Sequence, residues 1–289
     1  MEEATKHTVE ETIDKYLNEI LPSRSKSAQE LFSQQLEYWR ERFGDYKLSE
    51  LNPLEIRNAR SELTSDTRSN STLNRYLTSF SAVLGCAVKD FLWMDENPCY
   101  KIRKLPEPKG RIRYLSKEEK EVLLSHCDPD LHDAVMLALL TGARKQEIWR
   151  LRYDAINFER KFISFLFTKS GTPRSVPMSS EVHRIIAKRL VDNHHNSSYV
   201  FPSPKKHDSP NSFTRAWKTA LRSARIDNFR WHDLRHTSAS YMIMAGISLR
   251  TVADVLGHSN ISMTFKYAHL SPLHLSSALD SLSNELYAN

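Results

Sequence analysis

At 289 residues the chain has room for about two domains, each able to bury its own core, which excludes a single small module. With 40% apolar and 26% charged residues, wholesale disorder, collagen and coiled coil are excluded as well. The formal net charge of +6 is unevenly divided: residues 1–105 carry 15 basic and 17 acidic side chains (−2), residues 106–289 carry 26 and 18 (+8). The second part is therefore the better partner for a polyanion such as nucleic acid.

The first helix is expected over 8–20, where Val9, Ile13, Tyr16, Leu17 and Ile20 share a face, and a second over Leu31, Leu36, Trp39 and Phe43. Asn52-Pro53 reads as a cap with proline at the first helical position, opening a third helix through Ile56 and Ala59. A fourth starts near Ser71 and carries Leu73, Leu77, Phe80, Leu84 and Val88. Lys101 to Gly110, reading KIRKLPEPKG, has the proline, glycine and charge content of a linker.

Beyond it, Ser116-x-x-Glu119 is a capping box, and Leu131 to Leu140 is a strongly apolar helix ending at Thr141-Gly142. Phe162 to Phe167, a glycine turn and a short return strand to Pro177 form a hairpin. Helical patterns follow at 179–192, 210–225, 232–245, 248–256, 261–268 and 273–286. Cys86, Cys99 and Cys127 form no CxxC pair, so reduced thiols and a cytoplasmic protein are expected. No apolar run approaches the roughly 18 residues that span a bilayer, and the acidic N-terminus is no signal peptide. The seven glycines form neither GxGxxG nor GxxxxGK, so no nucleotide site is visible.

Four segments of the second part hold polar residues where structure alone would favour apolar ones. In Thr141-Gly142-Ala143-Arg144-Lys145-Gln146-Glu147, a guanidinium at the end of a buried helix can be aimed at a phosphate; its alternative is an ordinary helix-terminus charge. In Trp231-His232-Asp233-Leu234-Arg235-His236-Thr237, His232 and Arg235 lie three apart on one face. His232 and His236 have the i, i+4 spacing of zinc helices, but Asp233 stands where HExxH needs glutamate, so no metal is expected. Leu256-Gly257-His258-Ser259 and Lys266-Tyr267-Ala268-His269 complete the set, with nine residues from His258 to Tyr267.

The ordered set Arg144, Lys169, His232-x-x-Arg235, His258 and Tyr267, with its flanks TGARKQEI, HDLRHT, LGHS and KYAH, resembles the catalytic signature of the tyrosine recombinases, the phage integrase family. The motifs span roughly residues 106–270. The resemblance implies a mainly α fold: an N-terminal helical core-binding (SAM-like) bundle over 1–105 with the linker at about 101–110, then a C-terminal mixed α+β catalytic domain over 106–289 with a small β-hairpin and a helical tail. It implies site-specific cleavage and rejoining of double-stranded DNA through a 3′-phosphotyrosine, in integration or excision of a mobile element. Xer-type dimer resolution, a type IB topoisomerase-like enzyme and a catalytically silent DNA-binding protein are the alternatives.

In similar enzymes Arg144 and Arg235 grip non-bridging oxygens, Tyr267 is the nucleophile with His232 assisting, His258 bonds a non-bridging oxygen, and Lys169 is the general acid for the departing 5′ hydroxyl. Glu147 matches a supporting acidic position that orients the arginine or histidine, its alternative being a plain partner of Arg144 or Arg150. The phosphotyrosine bond conserves the energy of the broken one, so neither ATP nor a metal or other cofactor is expected. Similar proteins grip DNA as a clamp, which makes Lys101, Arg103, Lys104, Lys109, Arg111 and Arg113 candidate phosphate contacts, and Arg68, Asn70, Asn74 and Arg75 candidate base contacts. The resemblance also implies a tetramer on DNA, with the leucine-bearing tail after Tyr267 packing on a neighbouring subunit or on its own domain, and an accessory excisionase or host architectural protein. The helical region begins within about the first ten residues. That fits a simple Xer-type recombinase, an integrase lacking the arm-binding domain, or a chain from which that domain was removed.

Overall fold

In the computed structural model of the chain, residues 2–63, 68–108, 110–165, 174–271 and 275–287 are described. Two compact units emerge, Met1–Gly110 and Arg111–Asn289, so the boundary falls at the end of the proline-rich stretch.

The first unit is helical: α1 (Glu2–Lys6), α2 (Val9–Lys15), α3 (Lys26–Phe43), α4 (Pro53–Glu62) and α5 (Asn70–Lys89). α2 is capped by Thr8 and Glu11 as a capping box, and α4 by Asn52, whose side chain accepts from the Leu54 amide. The helix expected over 8–20 is α only to Lys15; it loosens into a π-turn over Tyr16–Ile20 and a 3₁₀ turn over Leu21–Ser23, where Pro22 has no N–H to continue the ladder. Trp39 anchors the core, stacked on Phe80 at 4.6 Å with its indole N–H donated to the Tyr76 carbonyl.

This unit also holds the start of the linker. Arg60, buried, donates to the Arg103 carbonyl; Asn74 bonds both the N–H and the carbonyl of Leu105, and Asn70 donates to the Pro106 carbonyl.

The second unit contains α6 (Lys117–Ser125), α7 (Pro129–Thr141), α8 (Lys145–Trp149), β1 (Ile156–Asn157), β2 (Phe162–Phe165), β3 (Arg174–Pro177), α9 (Ser180–Val191), β4 (Pro202–Ser203), β5 (Lys206–Pro210), α10 (Thr214–Ser223), α11 (Trp231–Met244), α12 (Leu249–Leu256) and α13 (Leu275–Tyr287). The expected hairpin is antiparallel, with Ile163 opposite Val176 and Phe165 opposite Arg174, and β1 extends it to three strands. Its tip lies outside the described residues.

The β4–β5 hairpin was invisible to the sequence reading because Lys206-His207-Asp208-Ser209-Pro210 has no apolar alternation. The helix expected over 261–268 is instead a pair of 3₁₀ turns, Ile261–Met263 and Phe265–Leu270. Among the described residues no helix is long and apolar enough to cross a membrane.

Aromatic packing fixes the start of α11. Trp231 sits 5.6 Å from Trp149, 5.0 Å from Trp217 and stacks on Phe213, so the two turns that follow it project from a rigid base. Asp233 accepts from the Arg230 amide as the helix cap and from the Arg111 guanidinium at 2.9 Å. α7 ends at Gly142, whose φ of 61° is left-handed, and a Cβ there would collide with Leu256 Cδ2. Gly142→Ala is therefore expected to destabilise the second unit by about 1–3 kcal/mol in urea unfolding, and an unchanged midpoint would contradict this packing.

Candidate active site

Helix α12 is the organising element. It buries Val252, Ala253 and Leu256 and ends at Gly257, again left-handed with φ 65°. Carbonyls in the last turn of a helix lack intrahelical partners and carry its negative dipole end. Three arginines meet them: Arg174 donates to the Val255 carbonyl, Arg235 to Leu256 at 2.6 Å, and Arg144 to Gly257 at 3.3 Å. Arg235 also donates to the Gly142 carbonyl at 2.7 Å, tying the ends of α7 and α12 together.

One buried carboxylate gathers two of these cations. Glu147 accepts from the Arg144 backbone N–H at 2.8 Å, from the Arg144 guanidinium at 2.8 Å and from Arg174 at 2.7 Å. Burial alone would raise the pKa of its carboxyl, but the hydrogen bonds and charges of Arg174 and then Arg144 outweigh that and hold it below the usual carboxylate range. Arg174 also lies over the Phe165 ring at 4.7 Å. Three guanidinium groups around one carboxylate leave an excess of positive charge. Arg235 registers it: burial, then Arg144 and Arg174, push its pKa down to about 9.

His258 follows Gly257 directly. Its Nδ1 lies 2.7 Å from the hydroxyl of fully buried Thr264, and burial with the Arg235 and Lys266 charges pushes the ring's pKa down to about 4. Tyr267 is 1% exposed, packed against Ala239, Ile243, Val252 and Leu256, and its hydroxyl lies 2.5 Å from His236 Nδ1. Burial pushes the phenol up to about 12 and the His236 imidazole down to about 4. Lys266 holds its ammonium 5.0 Å from the centre of the Tyr267 ring and is itself lowered by burial and by Arg235.

Of the residues singled out in the sequence, Arg144 and Arg235 lie close enough to add to burial in lowering the His232 and His258 imidazoles, and Arg235 also acts on the buried Tyr267 phenol. Lys169 lies outside the described residues, as does Lys109. Glu147 proves to be the partner of Arg144 and Arg174, with no ion pair to Arg150.

Two linker arginines have partners within the second unit: Arg111 is engaged by Asp233 and the Asn228 carbonyl, and Arg113 by Glu119 and the Tyr114 carbonyl. Lys101 pairs with Glu96 at 2.7 Å, while Arg103 and Lys104 are exposed. Among the candidate base contacts, Asn74 is buried with its amide committed to Leu105 and Glu107, Asn70 bonds Pro106, and Arg68 donates to the Leu63 carbonyl; Arg75 remains exposed.

The sequence motifs give no role to Arg174, Thr264 or Lys266, and His236 enters them only in the HDLRHT flank and in a histidine pair whose metal reading is set aside. A lone arginine opening a return strand carries no signal of burial. The motifs also pass over α10, where Arg215, Lys218 and Arg222 recur at helical spacing, all exposed and without ion pairs among the described residues.

Residues 113–274 match the phage integrase family. The integrase of Salmonella phage P22 is 34% identical over 218 residues, covering 71% of this chain and 55% of that protein. A structure of the Tn1549 transposon integrase in complex with circular intermediate DNA superposes with a TM-score of 0.75 at 20% identity, covering 95% of this chain and 99% of that one. A lambda integrase tetramer bound to a Holliday junction gives 0.71 at 17%, covering 90% and 77%; both likenesses are of fold. The chain spans 55–60% of the length of the phage integrases it matches.

The two neutral histidines give a stability signature. Their folded pKa values of about 4 lie below the ordinary 6.5, so their contribution is complete above pH 6.5 and is lost as pH falls toward 4. Urea unfolding should weaken between about pH 6.5 and 5, before most carboxylates titrate, and His258→Gln should flatten that slope. A flat wild-type profile would contradict the burial of His236 and the partial burial of His258.

Proposed function

Because the chain belongs to the phage integrase family, we propose that it is a site-specific DNA recombinase that cleaves and rejoins strands through a covalent 3′-phosphotyrosine, serving integration or excision of a mobile element. The observation that carries this reading is the gathering of Arg144, Arg235 and His258 at the end of α12, with Tyr267 within the field of Arg235 and guanidinium charge in excess of carboxylate. A phosphodiester under attack gains negative charge on its non-bridging oxygens, and rigid guanidinium forks already fixed by backbone carbonyls stabilise it without reorganising.

Tyr267 supplies the nucleophile. His258, its Nδ1 turned to Thr264, keeps Nε2 for a phosphate oxygen. Lys169 protonates the departing 5′ oxygen, and His232, exposed at the start of α11, assists Tyr267 in losing its proton. The energy of the phosphodiester is held in the phosphotyrosine, so the reaction runs without ATP or metal.

For the rest of the DNA, Arg103 and Lys104, with Lys101 and Lys109, contact phosphates from the linker, and the exposed cations of α10 offer a second basic stripe. The exposed leucines of α13, Leu279, Leu282 and Leu286, fit a tail that packs on a neighbouring subunit in a tetramer on paired sites, assisted by an excisionase or host architectural protein. The working compartment is the cytoplasm, at the nucleoid.

The test is covalent capture on a nicked suicide substrate. Tyr267→Phe should abolish capture and leave DNA binding intact, and Arg144→Lys should slow it about 10²-fold, because a point charge does not replace a bidentate fork. Capture surviving in Tyr267→Phe would overturn the nucleophile assignment.

A further inference from the structure

Arg174 has no part in the mechanism above. It opens β3 opposite Phe165, on the last described rung of the hairpin before its tip, and its guanidinium lies 4.7 Å from the centre of that ring. The side chain is 9% exposed, and its two terminal nitrogens go to different elements. One donates to the Glu147 carboxylate at 2.7 Å, the other to the Val255 carbonyl in the last turn of α12. The stem lies against Gly257, where a Cβ would collide with it. Among the described residues these are the only hydrogen bonds that join the β1–β3 sheet to α8 or α12.

The sheet is otherwise held by burial. Ile163, Phe165 and Val176 lie in the core of the second unit, and apolar packing is non-directional, so it keeps the sheet in place without fixing the angle of its open end. A guanidinium shared between a carboxylate and a carbonyl is directional. That carboxylate also takes two bonds from Arg144, and the same helix end receives Arg144 and Arg235 at the next two carbonyls. Removing Arg174 leaves each of those bonds with its donor and acceptor, so its loss frees the hairpin end more than it moves the other two arginines. The covalent attachments of segment 166–173, which carries Lys169, are Phe165 and Arg174. A proton donor must stand within hydrogen-bond reach of the oxygen it serves, and a misplacement of about 1 Å can cost roughly 10²-fold.

We propose that Arg174 positions the general acid: it clamps the open end of the β2–β3 hairpin to Glu147 and to the end of α12, and so sets where Lys169 meets the departing 5′ oxygen. Arg174 acts through the hairpin and not on the phosphate. One carboxylate then serves both sides of the reaction, through Arg144 the phosphate and through Arg174 the leaving group.

The inference rests on the reading of Lys169 as general acid, and one pair of suicide substrates separates their fates. In the first the scissile bond is the ordinary P–O5′, whose oxygen must gain a proton as it leaves. In the second a 5′-bridging sulfur replaces that oxygen and leaves as a thiolate without one. Arg174→Met keeps an unbranched apolar stem and removes the fork. At saturating DNA its covalent capture should slow about 10²-fold on the oxygen substrate, stay near the wild-type rate on the sulfur substrate, and leave DNA affinity unchanged. Arg174→Lys keeps the charge without the fork and should show the same selective loss; it is read by the same ratio if urea unfolding finds Arg174→Met unfolded.

An equal loss on both substrates would overturn the proposal, since Arg174 would then act through the other arginines. No loss on the oxygen substrate, or unfolding of both variants, would overturn it as well. Lys169→Ala is the control: if sulfur does not restore its capture, the reading of Lys169 fails and this proposal with it. If sulfur restores Lys169→Ala but not Arg174→Met, only the positioning role is lost.

Discussion

The C-terminus of α12 is the constraint on which the site depends. Its last carbonyls must find donors: those of Ala253 and Asp254 take the backbone N–H groups of His258 and Gly257, and those of Val255, Leu256 and Gly257 take guanidinium groups brought from three separate places, the start of β3, α11 and the cap of α8. That one set of bonds fixes Arg144, Arg174 and Arg235 in space, and through Gly257 it also fixes where His258 begins. Glycine is needed at the junction, because a Cβ at Gly257 would collide with the Arg174 side chain. The same geometry at Gly142 lets α7 end against Leu256 and offer its carbonyl to Arg235.

Three cations at one helix end would repel each other without compensation. Glu147 supplies part of it, buried and bonded to two of the three, and removing one member of such a cluster leaves uncompensated buried charge. The compensation is incomplete by design of the charges: Arg235 has no carboxylate partner, only carbonyl dipoles, and its proton is correspondingly easier to lose. An anion meeting these arginines would relieve that repulsion, so on the proposed reading phosphate binding and the stability of the site are two expressions of the same electrostatics.

Much of this was legible in the sequence, for reasons that differ residue by residue. The capping boxes at Thr8 and Ser116, the Asn52-Pro53 helix start and the apolar run of α7 are local signals and were read from composition and spacing alone. The converging residues were legible as an ordered motif, although each alone had an ordinary explanation. What could not be read was decided by tertiary partners. Arg174 looks like any strand cation until Glu147 and α12 surround it. Asn74 looks like a surface amide until the linker backbone folds onto it, and Arg111 looks free until Asp233 faces it. The i, i+4 pair of His232 and His236 suggested a metal by spacing, whereas the partner of His236 is a tyrosine 31 residues further along the chain.

The central claim is that the charge of Glu147 holds the arginines where a phosphate will meet them. Glu147→Gln keeps the size but removes the charge and turns one of the two accepting oxygens into a donor, so the decisive measurement is its rate of covalent DNA capture at saturating DNA. The account predicts a fall of about 10²-fold, the scale of losing one preorganised donor at a developing oxyanion, with DNA affinity close to that of the wild type. Capture at the wild-type rate would mean that the arginines are positioned by the helix end alone, and the claim for Glu147 would be wrong.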